Sequence, residues 1–411
     1  MKKLKSIFSP RKLIIWIFII ILIITVPEIA RPAMSKTEAI VTMMCIDKDG
    51  EDIKVCTSVL TPASEKTANY EVYSGKGKTV GEAVENISLA LGKSIGFAQC
   101  EIMGFGDNLS EEGIMSTLDF MTRTRRVGRN ALLINFSGEV EKFAQAVVNM
   151  NIEKSLHLED IMNFDQRYIL SEDSNIHSFY KGYFSKISLG IMPKIKLETE
   201  DKGNSIEVQE SATGGGSSNE PGSGSGGDSK KEYILNDGTA CIFRNGEKIL
   251  EITPDTMKKL NLFINESQEG TLTIDHVTDD LYDDASIILH VSKKDVSFTP
   301  KFDGEKPIYE ISIDVTVLVE EVDEENPSLK FLKRNKEFLT PTLIEKTKQQ
   351  VEKQAYEIIE YCKENKVDLI HVYEFFYRKQ YKKFSEYYDK MQEKYLDNID
   401  YKISVKVNSS Y

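Results

Sequence analysis

The chain has 411 residues, 40% hydrophobic and 28% charged, which is enough apolar content for two or three globular cores and excludes a disordered or fibrous class. Its net charge is −13, and residues 1–36 contribute +6 of it, leaving −19 on the rest. So acidic a body excludes nucleic acid as a partner and disfavours bulk adsorption to anionic lipid.

The first element is residues 13–26 (LIIWIFIIILIITV), uncharged and with Thr25 as its one polar side chain. Lys2, Lys3, Lys5, Arg11 and Lys12 precede it, so the positive-inside bias keeps that end in the cytoplasm and sends the body outward. With Ile29 and Ala30 the run reaches about 18 residues, roughly 27 Å of helix, just enough to span a bilayer. A cleaved signal peptide is the other reading, but the best small residue for cleavage, Ala33, has Arg31 at the minus-three position. A retained helix is expected, with Leu13, Ile17, Ile21 and Val26 as anchor residues.

Residues 39–46, a DKDG turn at 47–50 and the alternation of Ile53, Val55, Thr57 and Val59 predict a β-hairpin. Cys45 and Cys56 face each other across it, either as a disulfide or as separate buried thiols; five scattered cysteines make no disulfide framework. A short strand follows near 71–74. In GKGKTVGEAVENISLALG, Thr79 and Glu82 form a capping box, and Val80, Val84, Ile87 and Leu91 share one helical face before Gly92. GKGKT is not a phosphate-binding loop, because the position five before its Gly-Lys-Thr unit is Val72 rather than glycine. Strands are expected at 99–105 and 130–136 and helices at 110–121 and 140–149, a mixed α/β pattern. Between them Arg123, Arg125, Arg126 and Arg129 form the one basic spot on the acidic body, read as a solvated loop or as a contact for lipid headgroups or an acidic partner.

Residues 211–231 (SATGGGSSNEPGSGSGGDSKK) have the composition of a flexible tether. Beyond it, strands are expected at 233–244 and 248–252 around an Asn245-Gly246 turn, a helix at 254–265, and strands at 271–274, 286–291 and 309–319. Thr340 and Pro341 start a long helix with Ile344, Val351, Ala355, Ile358 and Cys362 as its buried stripe. A second long helix carries Tyr377, Tyr381, Phe384, Tyr388, Met391 and Tyr395 in steps of four and three, a core stripe or a stacking platform for ligand. Tyr401, Ile403, Val405 and Val407 close the chain as a strand able to join 309–319.

The expected fold class is therefore α+β or mixed α/β. A cytoplasmic stub and membrane helix (1–35) lead to an N-terminal mixed α/β domain (36–200), a flexible Gly/Ser-rich linker (201–232), a small middle α/β domain (233–300) and a C-terminal α/β domain (301–411) with two long helices on an antiparallel sheet. Five dispersed histidines supply no zinc spacing, and DKDGED places its glycine fourth rather than sixth, wrong for a calcium loop. No nucleophile elbow or paired carboxylates stand out, so no enzyme, cofactor or metal is expected.

The block GKGKTVGEAVENISLALGKSIGFAQCEIMGFGDNLSEEGIMSTLDFMTRTRR, the segment GTACIFRNGEKILEITPDTMKKLNLF and the C-terminal helix pair with Lys366-Val367-Asp368 between its helices resemble the Ger(x)C family, the C subunits of GerA-type spore germinant receptors. The likeness runs from about Glu38 to the C-terminus. It implies a non-enzymatic, three-domain extracytoplasmic subunit on the outer face of the inner spore membrane, beside multi-spanning A and B subunits. Family members are typically lipoproteins; here the first cysteine after the apolar run, Cys45, follows Thr42, Met43 and Met44 rather than a small residue, so a retained helix is expected in place of an acyl anchor. The alternative function is a tethered or secreted cell-envelope module that binds a small molecule or glycan through the tyrosine-rich stripe.

Overall fold

The computed structural model describes residues 38–64, 67–150, 174–199, 232–263, 270–323 and 338–410. The anchor residues Leu13, Ile17, Ile21 and Val26 and the Gly/Ser-rich segment lie outside that set. Among the described residues no helix is long and apolar enough to cross a membrane.

The hairpin forms as its alternation predicts: β1 (Glu38–Asp49) pairs antiparallel with β2 (Asp52–Ser64), and Cys45 lies directly opposite Cys56. Both thiols are free and buried, as are the other three cysteines. The strand expected at 71–74 is longer, β3 (Thr67–Gly77). It feeds α1 (Val80–Leu91), where the Thr79 hydroxyl accepts the Glu82 amide at 3.2 Å and Glu82 returns a bond from the Lys78 amide at 2.8 Å. The glycines of GKGKT serve packing: a Cβ on Gly75 would overlap the carbonyl oxygen of Ala83 in α1.

The next expected strand is confined to β5 (Ile102–Gly106), after a short β4 (Ser94–Gly96). The single helix expected over 110–121 is two, α2 (Asp107–Glu112) and α3 (Met115–Thr124), broken at Gly113 with φ +115°. The break frees the Ile114 amide to donate to the carbonyl of Gly246, in the Asn245-Gly246 turn far along the chain. Asp47, read as a turn residue, has a second role: its carboxylate accepts the Leu109 amide at 2.8 Å at the start of α2. Then follow β6 (Leu132–Phe136), α4 (Val140–Met150), α5 (Ile176–Tyr183) and β7 (Leu189–Thr199). Helix α5 was not among the expected elements, although Ile176, Phe179, Tyr180 and Tyr183 fall at helical spacing; Asn175 caps it, accepting the Ser178 amide at 2.9 Å.

Beyond the Gly/Ser-rich segment, β8 (Glu232–Leu235), β9 (Ala240–Arg244) and β10 (Glu247–Ile252) join the same sheet rather than a separate one. The order is β10-β9-β7-β6-β5-β1-β2-β3, with β8 also on β7 and β4 on β1. Side chains of α1, α2, α3 and α5 cover one face of this sheet, and α4 covers the other through Phe143, Ala144 and Val147.

After α6 (Pro254–Leu260) and a 3-10 turn (Asn261–Phe263), the second sheet runs β11 (Gly270–Val277), β12 (Ala285–Asp303), β13 (Lys306–Asp323) and β14 (Asp400–Ser409) in spatial order. The border expected at 300 falls inside β12, which pairs with β13 along its whole length, so the three-unit expectation gives way to two sheets. The sheet is also not wholly antiparallel: β14 runs parallel to β13. The physical reason is the helical crossover between them, which returns the chain to the starting end of the sheet.

That crossover begins as expected with α7 (Pro341–Asn365), capped by Thr340 and buried through Val351, Ala355, Ile358 and Cys362. The second helix is not one long rod but α8 (Val372–Lys379) and α9 (Tyr381–Met391), broken at Gln380. In an unbroken helix Phe376 and Phe384 would point about 80° apart; the break lets their rings stack at 4.8 Å. The buried Asp368 carboxylate fixes the start of α8 by accepting the amides of Val372 (2.8 Å) and Tyr373 (2.7 Å) and the hydroxyl of Tyr395 (2.8 Å). Burial raises its pKa against those bonds.

Gly75→Ala should therefore cost about 1–3 kcal/mol through overpacking of β3 against α1. Gly128→Ala, where a Cβ meets nothing within 4 Å, should be close to neutral. Urea denaturation of both variants checks the contrast.

Candidate interaction surface

The five thiols offer no nucleophile: burial pushes Cys56, Cys100, Cys241 and Cys362 up to about 12 and Cys45 well above its ordinary value, so all stay protonated at neutral pH. Cys45 sits mid-strand in β1 with no exposed surface, closed to an acyl group. Among the described residues no group of three or more His, Cys, Asp or Glu is placed to hold a metal.

The densest ionic cluster is built around two lysines whose side chains are about nine-tenths buried. Lys194 of β7 bonds Asp107 of α2 at 3.1 Å and Glu251 of β10 at 2.6 Å; Lys248 of β10 bonds the same two carboxylates at 2.6 and 3.1 Å. Burial works against both lysine charges, yet the bonds to Asp107 and Glu251 outweigh it and hold both pKa values above the ordinary lysine range. Likewise burial opposes ionisation of Glu251, and the two lysines override it and lower its pKa. Every charge here is used by a neighbour, so the cluster is a clamp between α2, β7 and β10 and leaves no free acid or base for catalysis. Nothing at sequence level marked these four residues, because Asp107, Lys194 and the Lys248–Glu251 pair come from three distant stretches of the chain.

The aromatic stripe divides. Phe384 and Tyr395 are core, in the same cluster as Val351 and Ile358, and Tyr388 and Met391 are half-buried against it; Tyr377 and Tyr381 remain 45% and 54% exposed. With Phe384 inside, the stripe is no continuous stacking platform.

The structure keeps the four arginines together at the end of α3 and places them beside α5. Arg123 bonds Asp119 at 3.0 Å, while Arg125 lies over the Phe120 ring at 5.6 Å. Arg126, at φ +60°, and Arg129 are exposed. The Arg129 carbonyl accepts the His177 amide, and Thr122 and Tyr180 share a hydroxyl bond at 3.1 Å, so the arginine loop and α5 form one surface.

Residues 36–197 match the family described as the spore germination protein N-terminal domain, and residues 237–410 match the GerAC-like spore germination C-terminal domain. The chain belongs to the Ger(x)C family of spore germination proteins. No curated protein matches it. Among solved structures it is similar to one titled "Crystal Structure of the GerBC protein", at 13% identity and a TM-score of 0.51, covering 90% of this chain and 97% of that one. At that identity the likeness is one of fold, and it agrees with a mixed α+β architecture across both sheets. Ger(x)C membership assigns the chain to spore germination. The two family regions meet at the ionic clamp, because Asp107 and Lys194 belong to the first and Lys248 and Glu251 to the second.

Glu251→Gln should cost about 1 kcal/mol at neutral pH, since the Glu251 side chain is 41% exposed and partly screened. Because its folded pKa lies below its ordinary value of 4.5, its contribution is present above pH 4.5 and lost as pH falls through the folded value. The stability gap between wild type and Glu251→Gln should therefore close on acidification, as read by thermal unfolding across pH.

Proposed function

We propose that the chain is the C-type subunit of a spore nutrient-germinant receptor, a membrane-anchored, extracytoplasmic and non-catalytic component that assembles with multi-spanning A and B subunits. The observation that carries this reading is the pair of family matches, which span nearly the whole described chain. The apolar run at 13–26 with its basic flank supports a helix that holds the body at the outer face of the spore inner membrane.

Deleting the gene in its spore-forming host should abolish or slow germination in at least one nutrient while leaving sporulation intact; unchanged germination in every nutrient tried would refute the assignment. In membrane fractions washed with high salt, which screens electrostatic attachment, the full chain should sediment with the membrane and a form lacking residues 1–34 should be released. A native protein already shortened and soluble would refute the retained anchor.

A further inference from the structure

The arginine loop is one end of a larger band that the sequence order conceals. Residues 122–130, 176–188 and 372–383 together hold ten Lys or Arg and one acid, Glu374, in a chain where acids outnumber bases. The fold brings the three segments side by side. Thr122 and His177 tie the arginine loop to α5. On the far side of α5, Lys181 reaches Glu374 of α8 at 3.9 Å, and Lys186 lies over the Tyr388 ring of α9 at 5.9 Å. The one acid of the band is consumed within it, since Glu374 also pairs with Arg378 at 2.5 Å.

At the middle of this band stands Phe184, 77% exposed, directly after α5. It is held upright by Tyr180, stacked at 5.9 Å, and Tyr183, edge-on at 5.1 Å. Tyr377 and Tyr381 add two exposed rings, in contact at 4.9 Å. An apolar ring standing in water costs hydration free energy, and the rings that flank it here are amphipathic tyrosines, in a band rich in Lys and Arg. That mixture is what a bilayer interface selects: aromatic rings at headgroup depth, Lys and Arg stems lying along apolar surface with their charges among phosphates. The acidity of the rest of the body does not cancel the attraction, because charges farther away than a Debye length of about 8 Å are screened at physiological salt.

We propose that this band, from the arginine loop through Phe184 to Tyr377 and Tyr381, is a docking face for an anionic lipid surface, which seats the body on the membrane with Phe184 inserted among the headgroups. The proposal rests on the membrane-attached reading above and adds an orientation to it. Arg126 and Arg129, which have no carboxylate partner among the described residues, supply phosphate contacts, and the exposed Lys186, two residues after Phe184, adds a third cation.

The test uses the full-length chain with a fluorophore on Phe184→Cys, since the five native thiols are buried. Circular dichroism and the thermal transition verify the fold of the labelled chain. It is mixed with vesicles of brominated phosphatidylcholine, with and without phosphatidylglycerol. Quenching at position 184 should be several-fold stronger with phosphatidylglycerol, and it should fall to the phosphatidylcholine level in the Arg126→Glu, Arg129→Glu, Lys186→Glu variant. Flotation of the same samples separates the two readings. A chain that floats with its label unquenched, or equally quenched in both vesicles, overturns the docking face and leaves the anchor standing; the band would then fit an acidic protein surface. A chain that does not float without phosphatidylglycerol, yet quenches and floats with it, overturns the anchor and upholds the docking face.

Discussion

Strand β7 takes its hydrogen bonds from both halves of the chain, and the first sheet depends on that arrangement. Toward β6, its neighbour within the first family region, it has two register pairs, Asn135 with Lys194 and Phe136 with Ile195. Toward strands that follow the Gly/Ser-rich segment it has five pairs with β9 and four with β8. Met192 and Ile195 are fully buried, so a β7 without β8 and β9 would open apolar surface and a row of backbone donors and acceptors to water. The Lys194 and Lys248 clamp and the bond from Ile114 to Gly246 reinforce the same seam. Leu189, Ala240, Ile242 and Ile252 then continue into the core of the second sheet, which makes the two sheets neighbours in one apolar cluster.

Local patterns in the sequence carried most of the elements. The capping pair Thr79 and Glu82, the Thr340-Pro341 start and the alternations of the hairpin and of β14 were legible because each is a short-range pattern that the chain satisfies within a few residues. The breaks at Gly113 and Gln380 were not, because each is decided by a distant partner: the Gly246 carbonyl in one case and the need to stack Phe376 on Phe384 in the other. Joining β8, β9 and β10 to the first sheet likewise depends on pairing across a segment whose composition suggested separation. Of the surface, the sequence showed the four arginines but not their neighbours; the run FYKGYFSK was the available signal, aromatic and basic with no acid, and with Ile176 before it Phe179, Tyr180 and Tyr183 fall at helical spacing.

Function follows from where charge is spent and where it is left over. Inside the molecule, Asp368, Lys194 and Lys248 are fully occupied with holding helices and strands in place. Outside, positive charge and aromatic surface are concentrated on one band around α5, against an otherwise acidic body. That distribution is what the proposed seating of the body on a membrane uses.

The central claim is that the two family regions form one cooperative body through β7. Amide hydrogen exchange of β7 in the whole chain and in a chain ending after residue 199 tests it most directly. Strong protection of the Gly190, Met192 and Lys194 amides, which face β9, in the whole chain and near-complete loss in the shortened one is the predicted result. Equal protection in both would contradict the account.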